Sequence, residues 1–242
     1  MVEQTIMPFN LPDAMLPMPD TMSAVLSGHT GFATELELTD ARQVVRESQH
    51  KRVFDMVFAL LVAAALLSWL VPIIALLIKM ESKGPVFFKQ LRTGKDGKAF
   101  YCFKFRSMRV NAESDTKQAS RGDARVTKVG AYLRKTSLDE LPQFFNVLSG
   151  EMSIVGPRPH MLSHTEEYSR VIHNFMDRHT GMPGITGLAQ VSGYRGETRE
   201  LSAMAKRVNA DIYYLQNQSF WLDVKIVLLT VRQALTKNEH VF

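Results

Sequence analysis

The chain has 242 residues, 29 of them Lys or Arg and 24 Asp or Glu, with 45% apolar residues and a formal charge of +5. That size and balance fit one sizeable domain with extra segments and exclude a wholly disordered or collagen-like chain. With Cys102 as the sole cysteine, an intrachain disulfide is excluded, and the Cys/His spacings of a zinc site are absent.

The charge is uneven. Residues 1–49 carry two basic and seven acidic side chains, a net of −5, so residues 50–242 carry +10. A body this basic points to anionic partners: a lipid surface, a phosphorylated substrate or a nucleic acid. Four prolines fall in the first stretch (Pro8, Pro12, Pro17, Pro19), which shows no sustained hydrophobic period. We expect a flexible acidic tail over 1–45, a short polar helix over 35–50 and no secretory signal peptide.

From Met56 to Ile78 run 23 residues in which only Ser68 is clearly polar. This is long enough to enter a bilayer core, and a soluble helix apolar on every side is uncommon in a domain this small. Pro72 interrupts it, leaving the Ser68 carbonyl without its helical donor and bending the helix. Cations flank both ends: His50, Lys51 and Arg52 before, then Lys79, Lys83, Lys89 and Arg92 after. A straight crossing would put one flank outside, whereas a bent helix returning to the same leaflet keeps both in the cytoplasm. A re-entrant membrane helix over 46–82, broken at Pro72, is therefore expected. The alternative is a single kinked crossing.

Residues 84–110 read as a small β unit. Val86 to Phe88 extends, 93–98 is a Gly-rich turn, and Phe100 to Phe105 alternates aromatic residues with others. Cys102 lies in that strand as a packed thiol. Residues 111–125 are polar and read as a loop. Helical patterns follow at about 127–135, 140–149, 160–178 and 199–216. A last helix, 220–235, has Trp221 at one end and cations on one face. It suits the domain core or a membrane surface equally.

The densest chemistry lies in 134–159. The acidic pair Asp139-Glu140 stands between Arg134 and Arg158. Ser137-Leu138-Asp139-Glu140 matches a capping box in text. Pro142, however, would then lie beyond the first turn, where its missing N–H matters. A helix starting near Leu141 would instead put the pair at or just before an N-terminus, a setting that binds phosphate and keeps a carboxylate ionised. An ionised, oriented carboxylate is what attack on phosphorus requires. Lys104 and Arg106 end the predicted strand. Arg158 sits in Gly156-Pro157-Arg158-Pro159, where prolines on both sides restrict the backbone. Guanidinium forks suit phosphate oxygens, and Mg²⁺, which uses one or two carboxylates together with substrate phosphates, is a fitting third partner for Asp139 and Glu140. The segment 181–196 holds five glycines and a proline, a loop whose backbone can approach a ligand closely. Within it Gln190, Tyr194 and Arg195 can meet a base by hydrogen bonding and stacking.

Together these segments resemble the bacterial sugar transferases, the polyprenyl-phosphate hexose-1-phosphate transferases of monotopic type. The apolar helix with its proline, Ser82 to Arg92, Lys104 to Met108, Asp123 to Thr127, Leu133 to Pro159 and Gly184 to Thr198 carry the resemblance over roughly 50–242. It implies an α+β fold: a re-entrant helix, then a small helix-rich cytosolic domain over 83–242 with a short β-hairpin and surface amphipathic helices. It implies transfer of hexose-1-phosphate from a UDP-sugar to undecaprenyl phosphate, giving undecaprenyl-diphospho-hexose and UMP. This would be the first membrane step of exopolysaccharide, capsule or O-antigen synthesis.

By the same resemblance, Asp139 is the nucleophile of a covalent, Mg²⁺-dependent cycle and Glu140 supports the metal or proton transfer. Arg158 holds phosphate, with Lys104, Arg106 and Arg134 around the diphosphate. Gln190, Tyr194 and Arg195 lie toward the uridine end. Implied partners are the inner-membrane lipid, a second copy of the chain and polysaccharide-assembly proteins, with no nucleic acid; the implied location is the cytoplasmic face of the bacterial inner membrane. The ending 193–198 resembles glucose- and galactose-transferring relatives, which favours glucose. Many relatives break the membrane helix at Ser-Pro, where this chain has Val71-Pro72, and larger relatives carry extra N-terminal membrane helices, so the chain resembles the small form. A catalytically inactive, membrane-tethered nucleotide-sugar scaffold is the competing expectation.

Overall fold

The computed structural model describes residues 49–110, 122–194 and 201–236. All of them belong to the unit Val45–Phe242. The expected tail over 1–45 and most of the polar helix at 35–50 lie outside the described residues.

The chain enters through one helix of 33 residues, Gln49–Glu81, long and apolar enough to cross a membrane. It comprises α1 (Gln49–Val62), a π-turn (Ala63–Leu67) and α2 (Ser68–Glu81). Two devices that bend helices lie close together: the π-turn, and Pro72 inside α2. Ser68 returns its hydroxyl to the Ala64 carbonyl at 2.7 Å, which also favours bending, and Trp69 Nε1 donates to Ala65 O at 2.9 Å. The face turned inward in α1 is Lys51, Asp55 and Ala59, four residues apart. Val53, Val57, Leu60, Leu61, Trp69 and Leu76 are exposed. This inverts the soluble pattern of apolar inside and polar outside.

Both ends of this helix are held by polar groups of the same unit. Near its start, Lys51 Nζ donates to Asp223 at 2.8 Å, Arg52 donates to the Val147 and Met152 carbonyls, and Asp55 accepts from Ile154 N at 3.0 Å. At its end, Glu81 accepts from Lys128 N and Val129 N, 2.6 and 2.8 Å away. Arg106 donates to the carbonyls of Ser82 and Lys83 just beyond. A straight helix of this length would extend about 50 Å.

The hairpin follows as β1 (Phe87–Thr93) and β2 (Ala99–Phe105), antiparallel with Gln90 opposite Cys102. Next come α3 (Lys128–Lys135), α4 (Gln143–Ser149), β3 (Ser153–Val155), α5 (Leu162–Val171), β4 (Gly184–Thr186), α6 (Leu188–Val191), α7 (Leu201–Gln216) and α8 (Phe220–Leu235). The mixed, helix-rich α+β architecture with a short hairpin agrees with the sequence reading. The parallel pairing of β3 with β4 was not expected: 181–196 reads as a loop, and Ser153–Val155 has no assignment in the sequence reading. Three glycines permit it: a Cβ on Gly184 would fall 2.1 Å from Gly156 N, one on Gly156 2.3 Å from Met182 O, and one on Gly187 2.2 Å from Gly156 O. The expected helix over 160–178 is interrupted. Ile172 takes extended geometry to bury itself with Phe175, Met204 and Val208, and the chain resumes as a 3₁₀ turn, Phe175–His179. A second core joins Ile74 and Ile78 of α2 to Phe105 and Leu133, so the apolar helix also builds the domain's interior.

In that 3₁₀ turn the rings of His160 and His179 flank Phe175, each with its centroid 5.7 Å away. Burial, with Arg178 adjacent, lowers His179 to about 3. An unfolded histidine binds its proton near pH 6.5. The neutral buried ring therefore contributes its full stability above that value and loses it as pH falls from 6.5 toward 3, at up to about 1.4 kcal/mol per pH unit. Thermal unfolding of His179→Phe between pH 7 and 5 should show a shallower loss of stability than the parent; equal slopes would contradict this.

Candidate active site

The hairpin supplies the floor of the site. Period two places Phe100, Cys102 and Lys104 on one face of β2, and the pairing register puts Gln90 and Arg92 of β1 beside them. Asn146 of α4, fully buried, docks onto this strand as a neighbouring strand would. Its amide oxygen accepts from Phe103 N at 2.9 Å and its nitrogen donates to Tyr101 O at 2.7 Å. The residues just before α4 are thereby brought against Lys104.

Those residues are the acidic pair. After α3, Ser137 takes the left-handed conformation (φ 57°), uncommon for a non-glycine residue, and swings the chain into a 3₁₀ turn, Leu138–Glu140. The capping-box match at Ser137 fails: its side chain makes no cap hydrogen bond, and Glu140 faces cations instead of reaching back to the Ser137 N–H. The 3₁₀ turn closes at Leu141, Pro142 is the N-cap of α4, and α4 starts at Gln143, two residues later than the expected start near Leu141.

The two acids differ sharply. Glu140 accepts from Lys104 Nζ at 2.8 Å and from both terminal nitrogens of Arg158, at 2.5 and 3.1 Å. Burial alone would push Glu140 up, but Arg158 first and Lys104 next outweigh it and hold it well below the usual carboxylate range. Asp139 makes no hydrogen bond or ion pair among the described residues and is only 8% exposed. Burial raises it to about 6; Lys104, Arg134 and Arg158 oppose that rise, and the charge on Glu140 adds to it. At pH 7 a group of that pKa is about nine-tenths ionised. The site thus presents one carboxylate consumed by cations and one left open.

The other expected residues divide. Arg134 acts on Asp139 through its charge. Arg106 is turned elsewhere, gripping the Ser82 and Lys83 carbonyls behind the apolar helix, a position where Gly84 leaves room for it. Gln190 is buried in α6, with Nε2 donating to Ile185 O at 3.2 Å and Oε1 lacking a partner among the described residues. Tyr194 accepts at its carbonyl from Arg207 Nε. Arg195 lies outside the described residues. Sequence reasoning did not single out Arg92 and Arg178, which donate to carbonyls of the Arg158 turn, or Asp211, which pairs with Arg178. Arg92 had read only as a flanking cation, although its place on the inward face of β1 marked it.

The described residues hold no cluster of three carboxylate, His or Cys side chains that would bind a metal unaided. With both Glu140 oxygens already engaged, a divalent ion fits here only if phosphate oxygens complete its shell, as they do for Mg²⁺ in phosphate-handling sites.

An open carboxylate ringed by cations beside a long apolar helix is equipped to handle a phosphoryl group near a lipid surface. The model described as "Bacterial sugar transferase" matches residues 46–237, and the chain belongs to that family. It is 54% identical over 183 residues to the UDP-glucose:undecaprenyl-phosphate glucose-1-phosphate transferase of Klebsiella pneumoniae, covering 75% of this chain and 39% of that protein. A Caulobacter vibrioides protein of the same name is 50% identical over 189 residues, covering 78% and 70%. A UDP-N-acetylgalactosamine-undecaprenyl-phosphate N-acetylgalactosaminephosphotransferase of Aeromonas hydrophila is 46% identical over 188 residues, covering 77% and 44%.

Carbon-13 titration of the Asp139 carboxyl should give a midpoint near 6, and Arg134→Met should move it upward because a charge favouring the ionised form is lost. A midpoint at the ordinary aspartate value, or no movement in the variant, would contradict this electrostatic picture.

Proposed function

We propose that the protein transfers hexose-1-phosphate from a UDP-hexose, with glucose as the hexose, to undecaprenyl phosphate. The observation that carries this is the asymmetry of the acidic pair: Glu140 is bound by Arg158 and Lys104 while Asp139 stays open and buried. An Asp139 oxygen attacks the phosphorus that bears the sugar, the bond to the bridging oxygen breaks, and UMP leaves. A phosphate oxygen of the lipid then attacks the same phosphorus and frees the carboxylate, giving undecaprenyl-diphospho-hexose. Splitting one displacement into two means the lipid and the nucleotide sugar need not react directly.

Glu140 has a holding role in this scheme. It keeps Arg158 and Lys104 in place until phosphate oxygens arrive to take their hydrogen bonds. Mg²⁺ would be held by substrate phosphate oxygens with Asp139, and with Glu140 once a cation moves off it; bound there, it would offset charge on the diphosphate. Gln190 Oε1, buried without a partner among the described residues, is suited to accept from a uracil N–H. Relatives named for glucose and for N-acetylgalactosamine are 54% and 46% identical to this chain; glucose is proposed here on the resemblance of the 193–198 ending to glucose- and galactose-transferring relatives. The product would begin an exopolysaccharide, capsule or O-antigen.

We further propose that Gln49–Glu81 is a re-entrant anchor and that the catalytic domain faces the cytoplasm. In support, both helix ends bind polar groups of one domain, through Asp223 and Ile154 at one end and Lys128, Val129 and Arg106 at the other. A helix crossing a core of about 30 Å would carry one end away from that body. The exposed face of large apolar side chains then meets lipid.

Two experiments test these readings. UMP release from UDP-glucose, UDP-galactose and UDP-N-acetylgalactosamine should be greatest with UDP-glucose and require undecaprenyl phosphate for turnover. Asp139→Asn should lower it by about 10³ or more, and a fully active variant would remove Asp139 as nucleophile. For topology, Val45→Cys and Lys89→Cys in a Cys102→Ser background should both be labelled only from the cytoplasmic side; labelling from opposite sides would rule out the re-entrant anchor.

A further inference from the structure

The turn that carries Arg158 is unusually poor in its own hydrogen-bond donors, because Pro157 and Pro159 lack an N–H. The four carbonyls from Pro157 to His160 are nonetheless all taken. Pro157 O accepts from Gly184 N at 2.9 Å and His160 O from Thr93 N at 2.9 Å. Between them, two arginine side chains grip consecutive carbonyls: Arg178 NH2 donates to Arg158 O at 2.8 Å and Arg92 NH1 to Pro159 O at 3.0 Å.

Arg178 is among the largest fully buried side chains, at 1% exposure. Its Nε and NH2 donate to Asp211 Oδ2 at 2.9 and 2.6 Å, and its NH1 to His160 Nδ1 at 2.8 Å. All three nitrogens are used, and none reaches Asp139 or Glu140. A buried ion pair is a poor device for stability alone, since apolar side chains of similar volume often do as well or better. What apolar side chains cannot do is hold the carbonyl of Arg158. That carbonyl fixes the backbone from which the guanidinium reaches Glu140.

We propose that Arg178, oriented by Asp211, is a positioning residue that sets the placement of Arg158 for phosphate handling. The inference rests on the transferase reading for its kinetic consequence and on geometry alone for its structural one. Misplacing an acting group by about 1 Å can cost on the order of 10² in rate. The effect should fall on kcat more than on KM, because Arg158 starts on Glu140 and transfers to phosphate as the reaction proceeds.

The test is the double variant Arg178→Met/Asp211→Leu, which removes both charges together, with Asp211→Asn as a milder second variant should the first not fold. We expect a melting temperature within a few degrees of the parent, kcat for UMP release down by about 10² and KM for UDP-glucose changed by less than about threefold. In an Arg158→Ala background the same changes should add little further loss, because Arg178 acts through Arg158. Losses that multiply in the combined variant, or full activity in the folded double variant, would overturn the proposal. Hydrogen exchange over residues 153–162 decides it independently of turnover. Faster exchange confined to that segment is expected, and unchanged exchange overturns it. An inactive parent with every sugar would count against the transferase reading and leave the brace to be judged on exchange.

Discussion

The fork of Arg158 on Glu140, with Lys104 on the same carboxylate, is the constraint around which the rest of the site is arranged. It joins three elements distant in sequence: the strand β2, the 3₁₀ turn before α4 and the turn after β3. It also sets the two acids apart. Because Glu140 absorbs the nearest cations, its neighbour keeps an open carboxylate in a buried setting, raised to about 6 and still mostly ionised at neutral pH. A breaking of this pair would leave a buried charge uncompensated, which is far more costly than the pair is stabilising. The same cations are therefore safe only while Glu140 or an incoming anion holds them, and that requirement favours a phosphate-bearing ligand.

The apolar helix is tied into this arrangement. Asp55 accepts from Ile154 N within β3, and Lys51 reaches Asp223, whose other oxygen lies 2.6 Å from the Tyr214 hydroxyl. That hydroxyl is also 3.1 Å from Val155 O. Ile154 and Val155, the last two residues of the strand that leads to Arg158, are thus held by side chains from α1 and α7. An ionisable group such as Asp55 inside a largely apolar helix is expensive to keep, and here it connects that helix to the strand before the turn that grips Glu140.

Much of this was legible beforehand. The strand β2 and the helices α3, α7 and α8 follow their hydrophobic periods, and the acidic pair with its arginines stood out because such a mixture has no use in plain packing. The parallel strands were not legible. Each is three residues long, and the glycines that allow their backbones to meet carry the same signal as a ligand-binding loop. Arg106 turns away from Lys104 for a local reason. Alternation puts it in phase with Lys104, but β2 ends at Phe105, and beyond that point the side chain follows the chain's turn toward Ser82. The pairing of Arg178 with Asp211 spans 33 positions, and nothing in either neighbourhood of the sequence points to the other. Ser137 shows the limit of motif text: the letters of a capping box are present, while the backbone there is left-handed and the glutamate is claimed by an arginine.

The most direct measurement is the intact mass of the protein after incubation with UDP-glucose and Mg²⁺ in the absence of undecaprenyl phosphate. A protein heavier by one hexose phosphate, with the added mass mapped to Asp139 and discharged when undecaprenyl phosphate is supplied, is the expected result. An unmodified protein that nevertheless releases UMP once the lipid is added, or an adduct on another residue, would contradict an open Asp139 as the attacking group.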